Sequence, residues 1–250
     1  MPNNCVFCGN PAGSREHIWP KWLLARKDFG PFRLKRAGSP DVVLNTELTT
    51  KSVCQACNNG WMSKLEAEVK PILEPIFEGH TVSLTIQQQH LIAIWMTKTA
   101  FMWDSTKGRD TDNAFYQTGD GIALAQRIMP PFTGVWLGHI GEEYRSADGH
   151  DITLNEPTKR VGGGSVLTVV NEQFVAQIVS LRPDEKPPER AVIQLPHASG
   201  NWDDTLVRVW PIDHPNPVTW PPAATLTVLG YLKLRDRWRT GDEIDYIAHL

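Results

Sequence analysis

Four cysteines constrain this chain more than anything else in it. They fall in two C-x-x-C pairs, NCVFCG at residues 4–9 and SVCQACNNG at 52–60, and no cysteine follows Cys57 in the 250 residues. Two such pairs most economically make one tetrahedral four-thiolate zinc site on Cys5, Cys8, Cys54 and Cys57, because each pair bends around the ion as a knuckle. Four thiolates fill the tetrahedron, so this zinc is expected to be structural. A thioredoxin-like role would use one pair and leave the other unexplained.

Compartment and class follow. The opening MPNNCVFCG has neither the basic n-region nor the apolar core of a signal peptide, and no apolar run approaches the roughly 18 residues of a membrane span. A cytoplasmic protein with reduced thiols and no membrane partner is expected. Net charge is only −3, but residues 1–60 carry eight Lys/Arg against four Asp/Glu, and the remainder 17 against 24. A basic cysteine-bearing end on an acidic body suits a module that meets phosphate, although chance and solubility account for such an imbalance as well.

Periodicity predicts an α+β fold in two parts, residues 1–66 as the zinc module and 67–250 as a helical, then antiparallel β-rich accessory domain. NNGWMSKLEAEVK reads as a helix ending at Pro71, PILEPIFEGH as a short second helix stopped by Gly79. Residues 86–103 form the longest helical signal and 113–128 another. Strands are expected at 133–140, 191–195, 205–210 and 225–234, with SVLTVV and QFVAQIVSL as a hairpin turning at Asn171-Glu172. Gly162–Gly164 reads as a loop or hinge, and the proline-rich 210–222 cannot be a central strand.

Between the knuckles lies SREHIWPKWL. Glu16 offers a hard oxygen ligand and His17 an imidazole base on consecutive residues, and Asn58 or Asn59 could add a ligand from the first turn of the next helix. Blander readings stand beside these. Glu16 and His17 could be a surface pair, Asn58 could simply cap a helix, and Trp19, Trp22, Trp61 and Leu65 read as core. The other histidines form no ligand-spaced pair.

The order C-x-x-C, E-H-I-x-P, C-x-x-C-N-x-G resembles the zinc-stapled HNH nuclease module, the ββα-metal or treble-clef-like fold. It is also similar to bacterial and phage proteins with EH(I/V)xPxWL and CNxGWMSxLE segments. The likeness covers roughly residues 5–70 and, weakly, AIWMTKTA. It implies a metal-dependent endonuclease hydrolysing phosphodiester bonds in DNA, with RNA an alternative substrate, in a phage or defence setting. His17 would be the general base, Glu16 and Asn58 the ligands of a catalytic Mg2+ or Mn2+, and Asn45 the asparagine that orients the base. Arg15, Lys21 and Arg26 are candidate phosphate contacts. Many such proteins carry Lys where this chain has Trp61. The rival expectation is a non-catalytic zinc module that binds nucleic acid or a protein.

Overall fold

In a computed structural model, the described residues are 4–26, 32–36, 42–44, 48–106, 114–155, 159–185, 202, 204–212 and 214–238. The fold is mixed α/β with largely antiparallel sheets and the four cysteines near the N-terminus. Asn45, the expected strand at 191–195, His197 and His249 lie outside the described residues.

Two short strands and the helical segments that follow them build the cysteine-bearing corner. Strand β1 (Ser14–His17) pairs antiparallel with β4 (Thr49–Val53), and short helices α1 (Lys21–Leu24) and α2 (Gln55–Cys57) follow the two strands. From α2 the chain passes through a π-helical turn, Asn58–Met62, into α3 (Ser63–Phe77). Helix α3 runs through Pro71 and Pro75, so the two helices expected here are one. Pro71 is exposed, whereas Leu65, Val69, Leu73 and Ile76 are buried along the opposite side. That unbroken apolar stripe outweighs two lost backbone bonds whose carbonyls can turn to water.

Helix α4 (Ile86–Asp104) begins at Thr85, whose hydroxyl accepts from Gln88 N–H while the Gln88 side chain accepts from Thr85 N–H. From Ile92 to Asp104 it is buried on every side and forms the axis of the molecule. Helix α5 spans only Thr118–Ala125, because the Phe115 and Tyr116 N–H groups donate to the Asp104 carboxylate instead of entering a helix.

The C-terminal part is a long curled hairpin, β6 (Thr133–Asn155) with β7 (Arg160–Pro183). The other edge of β6 carries β8 (Leu206–Trp210), antiparallel, and β2 (Phe32–Arg36), parallel, which in turn pairs with β3 (Val42–Leu44). Asn171-Glu172 is therefore no turn. Glu172 takes a left-handed φ of 57° inside β7, and next to it residues 140–143 of β6 stand against the single Gln173. Before it Leu167 and Val169 join the cluster around α4; after it Phe174, Ala176 and Ile178 do. The bulge shifts the inward-facing set by one residue, which in sequence looks like a chain reversal.

Gly162–Gly164 lies within β7, not in a loop. The strand curls until its ends meet, with Asp184 N–H donating to the Val161 carbonyl at 2.8 Å. A Cβ on Gly162 would fall 2.5 Å from the Arg182 carbonyl oxygen, so only glycine permits this closure.

The expected strand at 225–234 is mostly helix α6 (Val228–Asp236), started by the Thr227 hydroxyl accepting from Gly230 N–H. Tyr231 and Leu234, three apart, bury one side of α6 against the sheet face opposite α4. In the proline-rich stretch only Val218–Trp220 (β9) is strand, paired with β5 (Val82–Leu84) in a separate two-stranded sheet. One apolar cluster runs without a break from Cys5 and Phe7 through α4 to Ile178 and Trp220. No helix among the described residues is long and apolar enough to cross a membrane.

Candidate functional site

The first knuckle is a tight turn. Cys5 N–H donates to Asn10 O at 2.7 Å, Gly9 N–H donates to Cys5 O at 2.8 Å, and Gly9 sits at φ 74°. Val6 N–H donates to Ser52 O, fastening this turn beside β4. Phe7 plugs it into the core, stacked on Phe101 of α4 with centroids 5.4 Å apart and met edge-on by Trp61 at 5.0 Å. In the second knuckle Cys54 caps α2, its sulfur accepting from Cys57 N–H at 3.4 Å.

The knuckles converge as the spacing requires. All four Sγ atoms lie within 4.8 Å of one another, and Cys8 and Cys54 are 3.6 Å apart. Tetrahedral thiolates around zinc stand about 3.8 Å apart, so the cluster fits a metal ion such as zinc. Burial pushes the Cys5 and Cys57 thiols up. Burial also opposes ionisation of Cys54, but hydrogen bonds from Cys57 N–H and the neighbouring thiols outweigh it and bring this thiol down to about 7. Ionised together, four sulfurs this close would repel one another unless a cation sat among them.

Beside the cluster lies an open cleft of about 1200 Å³. Arg15, Glu16, His17, Lys21, Asn58 and Asn59 all line it. The pleat sends Glu16 and His17 to opposite sides of β1, yet both border the cleft because the strand stops at His17. Arg26 is not among the lining residues; its guanidinium lies 3.6 Å from Glu78.

Asn58 does not cap the start of a helix. It has helical backbone angles, φ −59° and ψ −56°, and its amide nitrogen reaches across to β1, donating to Ser14 Oγ at 2.9 Å and to Arg15 O at 3.3 Å. Asn58 thus ties the segment after the second knuckle to the strand that carries Glu16. Trp61 is half-buried against Phe7, a core position as expected; Trp19 and Leu65 are buried and Trp22 packs on the same cluster.

Two residues of the site were missed in the sequence. Lys98, in the middle of α4, has a fully buried side chain, with its Nζ 2.8 Å from Glu66 Oε1 and 3.8 Å from Glu16 Oε1. Glu66 itself lines the cleft. Burial raises the Glu16 carboxyl from its ordinary value, and the Lys98 charge works against that rise. A single lysine within IAIWMTKTAFMW was the available signal, since an ammonium in an apolar helix needs a buried partner.

No protein-family model, curated protein or solved structure matches the chain.

Proposed function

We propose that the chain is a metal-dependent endonuclease of the HNH type, acting on DNA, with zinc as the structural ion of the cysteine cluster. The observation that carries this reading is the meeting of Glu16, His17 and Asn58 on one cleft, across 40 residues of intervening sequence, beside the cysteine cluster. The antiparallel pair β1–β4 followed directly by α2 and α3 supports reading the corner as a ββα-metal module, with α1, β2 and β3 inserted between its two strands.

Glu16 and Asn58 carry the oxygens that would hold a catalytic divalent ion, Mg2+ or Mn2+. Asn58 turns its nitrogen to β1, which leaves Oδ1 as its donor atom. Once bound, such an ion offsets the negative charge that builds on the phosphate and the leaving oxygen. His17 takes a proton from water as the water oxygen bonds to phosphorus; the P–O3′ bond breaks and the 3′ oxygen leaves, to be protonated from solvent. Arg15 and Lys21, both on the cleft, hold the backbone phosphates.

A second reading, a zinc module that binds nucleic acid without cutting it, draws on Trp61: packed against Phe7, it supplies no phosphate contact where many members of the nuclease family that the sequence resembles have Lys. Incubating the zinc-loaded protein with supercoiled plasmid and Mg2+ or Mn2+ separates the two. Conversion to nicked or linear DNA that stops without the ion supports the nuclease. Plasmid binding with no cleavage of DNA or RNA supports the binding module.

A further inference from the structure

Lys98 is not accounted for by this chemistry. Its side chain is fully buried on α4 behind the cleft, and its ammonium sits between a carboxylate of α3 and one of β1, both of which line the cleft. Desolvating an ammonium is costly, and apolar residues of similar volume would fill the position at less cost. What the lysine adds is orientation. Both contacts are to Oε1 atoms, at 2.8 Å for Glu66 and 3.8 Å for Glu16.

We infer that Lys98 is a positioning residue for the cation site, with Glu66 as its anchor. Glu66 draws the ammonium toward α3 by the shorter contact and prevents it from closing fully on Glu16. At its longer distance Lys98 steadies the Glu16 carboxylate against β1 without neutralising it. One positive and two negative charges leave a surplus negative charge on the cleft wall, and that surplus faces the space where a divalent ion is sought. The inference rests on the reading of Glu16 as a ligand; it adds that the ligand's geometry is set by Glu66, the last residue of the CNxGWMSxLE segment, and by Lys98 in AIWMTKTA, two residues that the catalytic assignment leaves without a role.

The arrangement has a signature that charge alone does not give. Lys98→Met removes a positive charge, and the two carboxylates, no longer bridged, repel and swing apart. Glu66→Gln removes a negative charge and lets Lys98 close onto Glu16, withdrawing it. Both changes therefore weaken cation binding. Simple electrostatics predicts opposite effects, tighter for the first and weaker for the second.

The test is titration of Mn2+ into zinc-loaded full-length protein, with free Mn2+ followed by electron paramagnetic resonance, together with zinc content and melting temperature. Lys98→Met should raise the Mn2+ Kd roughly 10- to 100-fold, as loss of an outer-shell partner does, and Glu66→Gln should raise it less, with one zinc per chain retained in both. A Lys98→Met protein that binds Mn2+ as tightly as wild type, or tighter, overturns the inference whatever its melting temperature. If Lys98→Met does not fold, an unchanged Kd in Glu66→Gln overturns it equally. Wild type that takes up no Mn2+ beyond the cysteine cluster would instead defeat the underlying nuclease reading, and the inference with it.

Discussion

The corner around the cysteines and the curled β6–β7 hairpin are held by different kinds of force. The hairpin rests on a backbone ladder running from Thr133–Ser180 to Asn155–Arg160, with apolar side chains buried on both faces. The corner has strands of four and five residues, and depends on four thiols, the Asn58 link and the Phe7 plug. Forces spread over many residues yield little when one is changed. A corner held by a few side chains should lose its geometry with any of them, and that is where the candidate chemistry sits.

The largest effect should come from the metal. Cys54→Ser leaves a buried cluster one thiolate short while keeping a capping side chain at α2, and four-thiolate zinc sites in small modules are coupled to folding by an apparent ~10–16 kcal/mol. Zinc content should drop well below one per chain and the corner's tryptophan fluorescence should shift, while far-ultraviolet circular dichroism keeps the strand signal of β6 and β7. Loss of the whole fold would show that the continuous core makes the two regions one unit.

Gly149→Ala strikes the other region. A Cβ there would lie 1.9 Å from Trp103 Nε1, where α4 packs on β6. Overpacking of this kind costs about 1–3 kcal/mol, so denaturant unfolding should shift by that amount with zinc content unchanged.

Asn58 sharpens the contrast. Asn58→Ala deletes the amide that donates to Ser14 and Arg15, and should cost about 1 kcal/mol. Asn58→Asp should cost more, since it sets a carboxylate oxygen against the Arg15 carbonyl oxygen. Melting curves for the pair check the order; an aspartate variant as stable as wild type would mean that the link to β1 contributes nothing.

Arg15→Ala should have the smallest structural effect, since this side chain is exposed on β1. Stability should move by less than about 0.5 kcal/mol. If Arg15 meets phosphate, the slope of DNA affinity against salt should fall by about one unit.

How far the sequence foretold each region follows the same division. The knuckles and the cleft residues Glu16, His17 and Asn58 were legible because the chemistry is concentrated in short motifs whose spacing dictates their meeting. Lys98 was not, for it acts across a helix packing that no local pattern encodes. In the hairpin, Asn171-Glu172 has the polarity of a turn, but the bulge at Glu172 preserves the ladder while shifting its phase. Pro71 carries a stop signal overridden by burial of Leu65, Val69 and Leu73, which only tertiary structure supplies. The stretch 225–234 fits either period, and the Thr227 cap decides for helix.

The central claim is that the cleft beside the cysteine cluster hydrolyses phosphodiester bonds with His17 as base. Its most direct test is the rate of plasmid nicking in Mn2+ by wild type and His17→Ala, prepared identically and matched for zinc content and melting temperature. The account predicts cleavage by wild type and a loss of roughly 100- to 10,000-fold in the variant. Equal rates in the two proteins would contradict it.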